Sequence, residues 1–231
     1  MTLHPNPARP PRVWPSTLLA LTLVLLWDAS SLDRALMAPL ADSHGFFLRH
    51  QWWLERVLHD GVRQLSLLFF LLLLLMVWRP LGVFRTISQR QRAEIVVGIT
   101  LALLVVNLVK RQSLTSCPWD LKEFGGAAQY VSHWAWRVRD GGSGGCFPGG
   151  HASSALAYLA LPLPWLLSPQ PAQQRLGRQL LTVVLALGLL LGATQTLRGA
   201  HYPSHTWWTA LLCWGTALGN RWLFATFRKK T

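Results

Sequence analysis

Two short stretches of this 231-residue chain carry the residue types that chemistry on an anion requires. The first is Pro148-Gly149-Gly150-His151, standing just ahead of an apolar run. Glycines let backbone N–H groups approach an anion closely and form a nest of donors. A helix start adds unpaired N–H groups and partial positive charge. A histidine there can pass a proton to a leaving oxygen. The alternative is a flexible loop ending at a helix start, with His151 only an interfacial side chain. The second stretch, LRGAHYPSHTWW, holds Arg198, His201 and His205. The two histidines are four apart and share a helix face if the helix begins that early. One histidine can attack phosphorus while the other orients it. The pair can instead hold a metal together with His151 or Asp120. Or both are interfacial residues; the pair lacks the companion glutamate of the known zinc motifs.

Groups of this kind need elements that bring them together, and composition says which. Hydrophobic residues make up 51% of the chain and charged residues 13%, about half the usual soluble share. That points to a membrane protein. Apolar runs near the length of about 20 residues that a bilayer needs occur at about 13–28, 62–79, 94–110, 151–168, 179–197 and 203–224. The expectation is an all-α integral membrane protein of six transmembrane helices. Alternating period-two patterning is lacking, which argues against a β-barrel. The basic start and first apolar run resemble a signal peptide. The following DASSLDRAL is a poor cleavage site, so the run reads as a retained first span.

The formal net charge of +13 raises the question of nucleic acid. The basic residues are not massed on one segment, and no recognition motif with interleaved aromatics is present, which excludes that class. With the N-terminus inside, the inner segments hold Arg9, Arg12, Arg79, Arg85, Arg90, Arg92, Arg175, Arg178, Arg221, Arg228, Lys229 and Lys230, against one acid, Glu94. The outer segments carry the other 10 basic residues and 8 acidic ones. Both termini inside therefore satisfies the positive-inside rule, with some attraction to anionic membrane lipids. In this orientation Lys110, His151 and the group of Arg198, His201 and His205 all sit at one membrane face. Ionisable groups at span ends are costly unless they face a polar cavity or the interface. Between the first two spans, Phe46, Phe47, Trp52, Trp53 and Val57 can share one helical face, with Arg49, Glu55 and Arg56 polar. This reads either as an interfacial helix along the outer leaflet or as a loop anchored by tryptophans.

The segments KRQSLTSCP from Lys110, PGGH from Pro148 and HYPSH from His201 resemble the three signatures of the type-2 phosphatidic acid phosphatase superfamily. These are six-helix membrane lipid phosphatases related to soluble bacterial acid phosphatases and vanadium haloperoxidases. The family patterns are K-x6-R-P, P-S-G-H and S-R-x5-H-x3-D. The resemblance spans about residues 60–224 and implies a single membrane phosphatase domain over 1–231. Residues 1–59 would add the first span and the interfacial segment. It implies that Lys110 holds phosphate, that Gly149 and Gly150 cradle it and that His151 is the general acid. His201 would take the phosphoryl group as phosphohistidine, and water would then release phosphate. No metal or other cofactor enters this scheme. The implied substrate is a lipid phosphate, such as phosphatidic acid, phosphatidylglycerophosphate, an isoprenyl pyrophosphate or lipid A phosphate. The implied place is the periplasmic face of a bacterial-type inner membrane. A lipid phosphotransferase uses the same residues, and a non-catalytic lipid-binding or transport protein is the rival class.

Four positions depart from the family patterns. Cys117 stands where the first motif has arginine, and Gly149 where the second has serine. Gln195 occupies the third-motif arginine position, with Arg198 or Arg111 as substitutes. His205 replaces the partner aspartate. A neutral histidine orients an imidazole less strongly than a carboxylate, so Asp120, Glu123 or Asp140 is expected to supply the negative charge. Cys117 and Cys146 share the long outer loop, where an oxidising exterior permits a disulfide. It would close a loop of about 30 residues, worth on the order of 3 kcal/mol. Two free thiols are the alternative.

Overall fold

The structure is a computed structural model and describes residues 13–228. Arg9, Arg12, Lys229 and Lys230, counted above for orientation, lie outside the described residues. The chain is built from α1 (Val13–Ala29), a short α2 (Leu32–Met37), a two-residue hairpin of β1 (Ala41–Asp42) and β2 (Gly45–Phe46), and α3 (Val62–Met76). There follow α4 (Gln89–Gln112), the short α5 (Ser153–Leu156) and α6 (Leu163–Leu166), α7 (Pro171–Leu197) and α8 (Pro203–Arg228). Ser88 starts α4 with a capping box, its hydroxyl accepting from Gln91 N–H while the Gln91 side chain accepts from Ser88 N–H, which satisfies two orphan donors at once.

Helices dominate as expected, but the six apolar runs are not six equivalent spans. Three helices are long and apolar enough to cross a membrane: Trp53–Met76, Gln89–Gln112 and Pro171–Leu197. Val13–Ala29 with Leu32–Leu40, bent by 74°, makes a fourth if the pair is one span. Leucines 65, 67, 68, 71 and 75 of α3 face outward, which suits lipid rather than water as the surrounding solvent.

The fifth run, from 151 to 168, is broken. It passes from α5 through a 3-10 turn at Ala157–Ala160 into α6, and Pro162 and Pro164 remove helical N–H donors in this stretch. Ser153 to Leu166 would reach only about 21 Å even as one helix, short of the hydrocarbon thickness of about 30 Å. Instead the segment is the buried axle of the molecule. Leu156, Ala157, Leu159, Leu163 and Trp165 are at most 1% exposed. The other helices close around it. A Cβ on Gly98 of α4 would come within 2.7 Å of Ala160 Cβ, so glycine is what lets these backbones approach.

The stretch expected as an interfacial helix divides. Gly45 takes φ +124 at the start of β2, Phe46 is buried, and residues 47–50 form turns. From Trp53 to Gly61 the chain winds as a π-helix that runs directly into α3. The hydrogen-bonded backbone continues without a break, so this part extends a span rather than lying apart from it.

At the end of the molecule where α1, α4 and α7 stop and α8 begins, residues 113–152 form a folded cap. Met37, Phe46, Leu121, Phe124, Ala128 and Tyr202 make its small core. The Cys117–Cys146 disulfide crosses it, with Cα atoms 5.0 Å apart. At the opposite end Arg221 pairs with Glu94 at 2.8 Å, and Asn220 Nδ2 donates to the Glu94 carbonyl at 2.9 Å, fastening α8 to α4.

Candidate active site

The ends of four elements meet beneath the cap. Lys110 is on the last turn of α4, His151 precedes α5, Arg198 follows α7, and His201 lies in the turn into α8. That turn is dictated locally. Gly199 takes φ +76, and a Cβ there would come within 2.2 Å of the Phe46 ring. Ala200 N–H then returns to the Gln195 carbonyl at 2.8 Å. Pro203 opens α8, so His201 stands ahead of the helix and does not share its face with His205. The imidazoles still meet, with Nδ1 atoms 3.5 Å apart.

His201 is 8% exposed, and its Nδ1 also lies 3.4 Å from Cys146 Sγ. A disulfide sulfur has no proton to give, so this contact suits an N–H on His201 Nδ1. Burial, and then the neighbouring charges of Lys110 and His151, hold the His201 imidazole down to about 3, so it is neutral at neutral pH. His151 lies outside the helices. Its Nε2–H donates to the Leu58 carbonyl at 2.9 Å, and its ring stacks on His59 with centroids 4.3 Å apart. Burial first, then repulsion from His59, pushes it down to about 4. The Lys110 side chain packs against Gly150, its Nζ 3.7 Å from where a Cβ would stand. Arg198 is 7% exposed; its Nε donates to the Arg49 carbonyl at 3.0 Å and a terminal nitrogen lies 3.7 Å from Glu55.

The backbone donors differ from expectation by one residue. Gly149 N–H is taken by the His205 carbonyl at 3.2 Å, because α8 runs alongside. Among the described residues no acceptor meets the N–H groups of Gly150, His151 or Ala152. Three successive unpaired donors beside an ammonium make an anion nest.

Other expected residues lie elsewhere. Arg111 is exposed on the last turn of α4, with no ion pair among the described residues. Asp120 accepts from Ser143 Oγ at 3.2 Å, Glu123 pairs with Arg34, and Asp140 is spent on Ser116 and Gly142. The carboxylate behind the histidines is one that sequence reasoning missed. Asp28, at the end of α1, lies 3.2 Å from His133 Nε2 and accepts from the indoles of Trp134 and Trp208. The His133 ring in turn meets the edge of His205 at 5.5 Å. Burial outweighs Asp28 and lowers the His133 imidazole. Glu55 and His59 were also missed, and no spacing signal marks either. Gln195, at the motif-three arginine position, is 3% exposed with Nε2 unpaired. The sulfurs of Cys117 and Cys146 lie within 4.8 Å of a His201 nitrogen. Both are in the S–S bond, so neither offers a metal the thiolate it would need.

Fold and site together describe a helical chain, with helices long and apolar enough to cross a membrane, that gathers Lys110, Arg198 and a cluster of imidazoles at one end of its bundle. Residues 92–230, more than half the chain, match the PAP2 superfamily. The chain belongs to that superfamily, whose members are generally phosphatases. No curated protein and no solved structure matches it.

Proposed function

We propose that this protein is an integral membrane phosphatase that removes phosphate from a lipid phosphomonoester or diphosphate through a phosphohistidine on His201. The observation that carries the reading is the nest of Gly150, His151 and Ala152 N–H groups, with Lys110 packed against it and the neutral His201 imidazole beside it. Nest, Lys110 and Arg198 balance charge on the transferring group, the main task in phosphoryl transfer. With Nδ1 turned to Cys146 and His205, His201 keeps Nε2 for attack on phosphorus. The P–O bond to the lipid breaks as its oxygen is protonated from the imidazole side of the pocket. His151 holds the family position for that role. Water then cleaves the P–N bond and phosphate leaves. The orientation argued from basic residues puts the site at the outer face of the membrane, where a lipid headgroup reaches it while the tail stays in the bilayer.

The test is phosphate release from phosphatidic acid, phosphatidylglycerophosphate and isoprenyl pyrophosphate in micelles. The wild type should release phosphate from at least one of them and form an acid-labile phosphoprotein on quenching. His201→Ala should lose both signals, by more than about 10³-fold in kcat. Release retained in His201→Ala would overturn the assignment.

A further inference from the structure

We propose that Arg49 holds a second phosphoryl group, so that the site is built for a lipid diphosphate rather than a phosphomonoester, a reading that rests on the phosphatase assignment above. Arg49 lies outside residues 92–230, the part that matches the superfamily, and the turn after β2 delivers it. Phe46 is buried against the Gly199 turn, where a Cβ on Gly199 would come within 2.2 Å of its ring. Arg49 N–H then turns back to the Phe46 carbonyl at 3.1 Å, and the Arg49 carbonyl accepts from Arg198 Nε at 3.0 Å. The segment is thus fastened to the turn that carries His201.

This path brings two guanidiniums to one indole. Arg49 lies 4.8 Å from the centre of the Trp119 ring and Arg198 lies 6.0 Å from it, both within cation–π range. Trp119 is itself held to the turn, its N–H donating to the Gly199 carbonyl at 2.9 Å. Arg198 has a carboxylate in Glu55 at 3.7 Å. Arg49 has none. Among the described residues its half-buried guanidinium makes no hydrogen bond and no ion pair. An arginine cannot shed its proton, so a second guanidinium beside the first is unfavourable until an anion joins them.

Charge decides how many phosphoryl groups the site suits. Lys110 packs at Gly150, beside the nest, whereas the contacts of Arg49 run to Arg198 and Trp119. A phosphomonoester brings about −1.5 to −2 at neutral pH, which Lys110, the nest and the Glu55-paired Arg198 answer. A diphosphate adds a second anionic phosphorus centre, and Arg49 is the unpaired cation beside the first. Its planar fork suits a two-point hold on phosphate oxygens.

The step balances. His201 forms a P–N bond to the terminal phosphorus, and the bond from that phosphorus to the bridging oxygen breaks. The electron pair goes to the bridging oxygen, which leaves on the lipid monophosphate held by Arg49. Water then attacks phosphorus, the P–N electron pair returns to His201, and the oxygen and protons of the water leave in the phosphate. The sum is lipid diphosphate plus water giving lipid monophosphate plus phosphate. Arg49 meets charge as it develops on the leaving group, so the preference belongs in kcat/KM.

Binding and turnover test this separately. Methylenebisphosphonate and methylphosphonate are non-hydrolysable probes with two and one phosphoryl-like groups, and calorimetry in micelles reads both. The wild type is expected to bind the bisphosphonate at least about 10-fold more tightly than the phosphonate. Arg49→Gln is expected to remove that ratio and to leave the phosphonate Kd within about 3-fold. In turnover, one isoprenyl chain is compared as its diphosphate and its monophosphate. Arg49→Gln is expected to lower kcat/KM on the diphosphate by about 10- to 100-fold and on the monophosphate by less than about 3-fold. Equal losses on both would overturn the proposal, since Arg49 would then only hold Arg198 and Trp119 in place. So would a wild type that does not prefer two phosphoryl groups, or a preference undiminished in Arg49→Gln. Where Arg49→Gln fails to fold, Arg49→Met, which keeps the apolar stem on the ring, is read by the same criteria. The two levels separate. A bisphosphonate preference lost in Arg49→Gln, with neither lipid turned over by the wild type, removes the phosphatase assignment and leaves the Arg49 site standing. Turnover that needs His201 and ignores Arg49 does the reverse.

Discussion

A nucleophilic imidazole must reach phosphorus without its proton, and His201, the nucleophile proposed above, is kept in that form by its surroundings rather than by a base. Burial, Lys110 and His151 hold its protonation down to about 3, against about 6.5 in an unfolded chain. The consequence for stability has a definite sign. Between these values the unfolded chain binds the proton and the folded protein does not, so stability rises with pH across the window and is lost as pH falls from 6.5 toward 3. Each such proton contributes up to about 1.4 kcal/mol per pH unit. His151 and His133, both lowered mainly by burial, add slopes of the same sign. The midpoint of thermal unfolding in micelles should therefore fall between pH 7 and pH 4, and His201→Gln should flatten that slope by up to one proton. An unchanged slope in the variant would mean that His201 is not the neutral, buried group described.

Two covalent and backbone devices hold the turn on which His201 sits. The disulfide places Cys146 Sγ at 3.4 Å from its Nδ1, and Trp119 N–H, two residues from Cys117, donates to the Gly199 carbonyl at 2.9 Å. Reduction releases the cap from the turn. Displacement of a reacting atom by about 1 Å costs on the order of 10²-fold in rate. Treatment with a phosphine reductant should accordingly lower kcat by about 10- to 100-fold, reversibly on reoxidation, and the Cys117→Ser, Cys146→Ser double variant should be slow and insensitive to it. Equal rates with and without reductant would remove the disulfide from the site. Gly199→Ala strikes the same turn from the other side, forcing a side chain into φ +76 and against Phe46. It should lower the unfolding midpoint and phosphate release together. Motif spacing picked out Lys110, His151 and His201 as candidates, and the structure sets the three at element ends on one side of the bundle. Asp28, His59 and Glu55 were illegible for a physical reason. Their role depends on how α1 and the π-helical turn pack beside the core, and no local periodicity records a contact between elements 90 or more residues apart. The broken fifth run misled in the same way, since an apolar stretch buried by protein and one facing lipid have the same composition.

At the scale of the whole molecule, polarity is segregated end to end. Arg79, Arg85, Arg90, Arg92, Arg175, Arg178 and Arg221 lie at the end where α4 and α7 begin, and the histidine cluster lies where they finish. A positive-inside arrangement of this bundle turns the cluster outward, which also suits the disulfide, since thiols persist as S–S bonds in oxidising compartments. These two arguments are independent, one from translocation energetics and one from redox chemistry, and they agree. A direct measurement can separate them from coincidence. In a chain expressed in bacteria, with Cys213 buried and the other two cysteines paired, a single new thiol reports its side. Ser143→Cys, in the exposed part of the cap, should react with a membrane-impermeant maleimide in intact spheroplasts. Thr86→Cys, in the turn between α3 and α4, should react only after the membrane is opened. The reverse pattern would put the pocket in the cytoplasm. There the disulfide would be reduced, and the substrate would have to come from the inner leaflet.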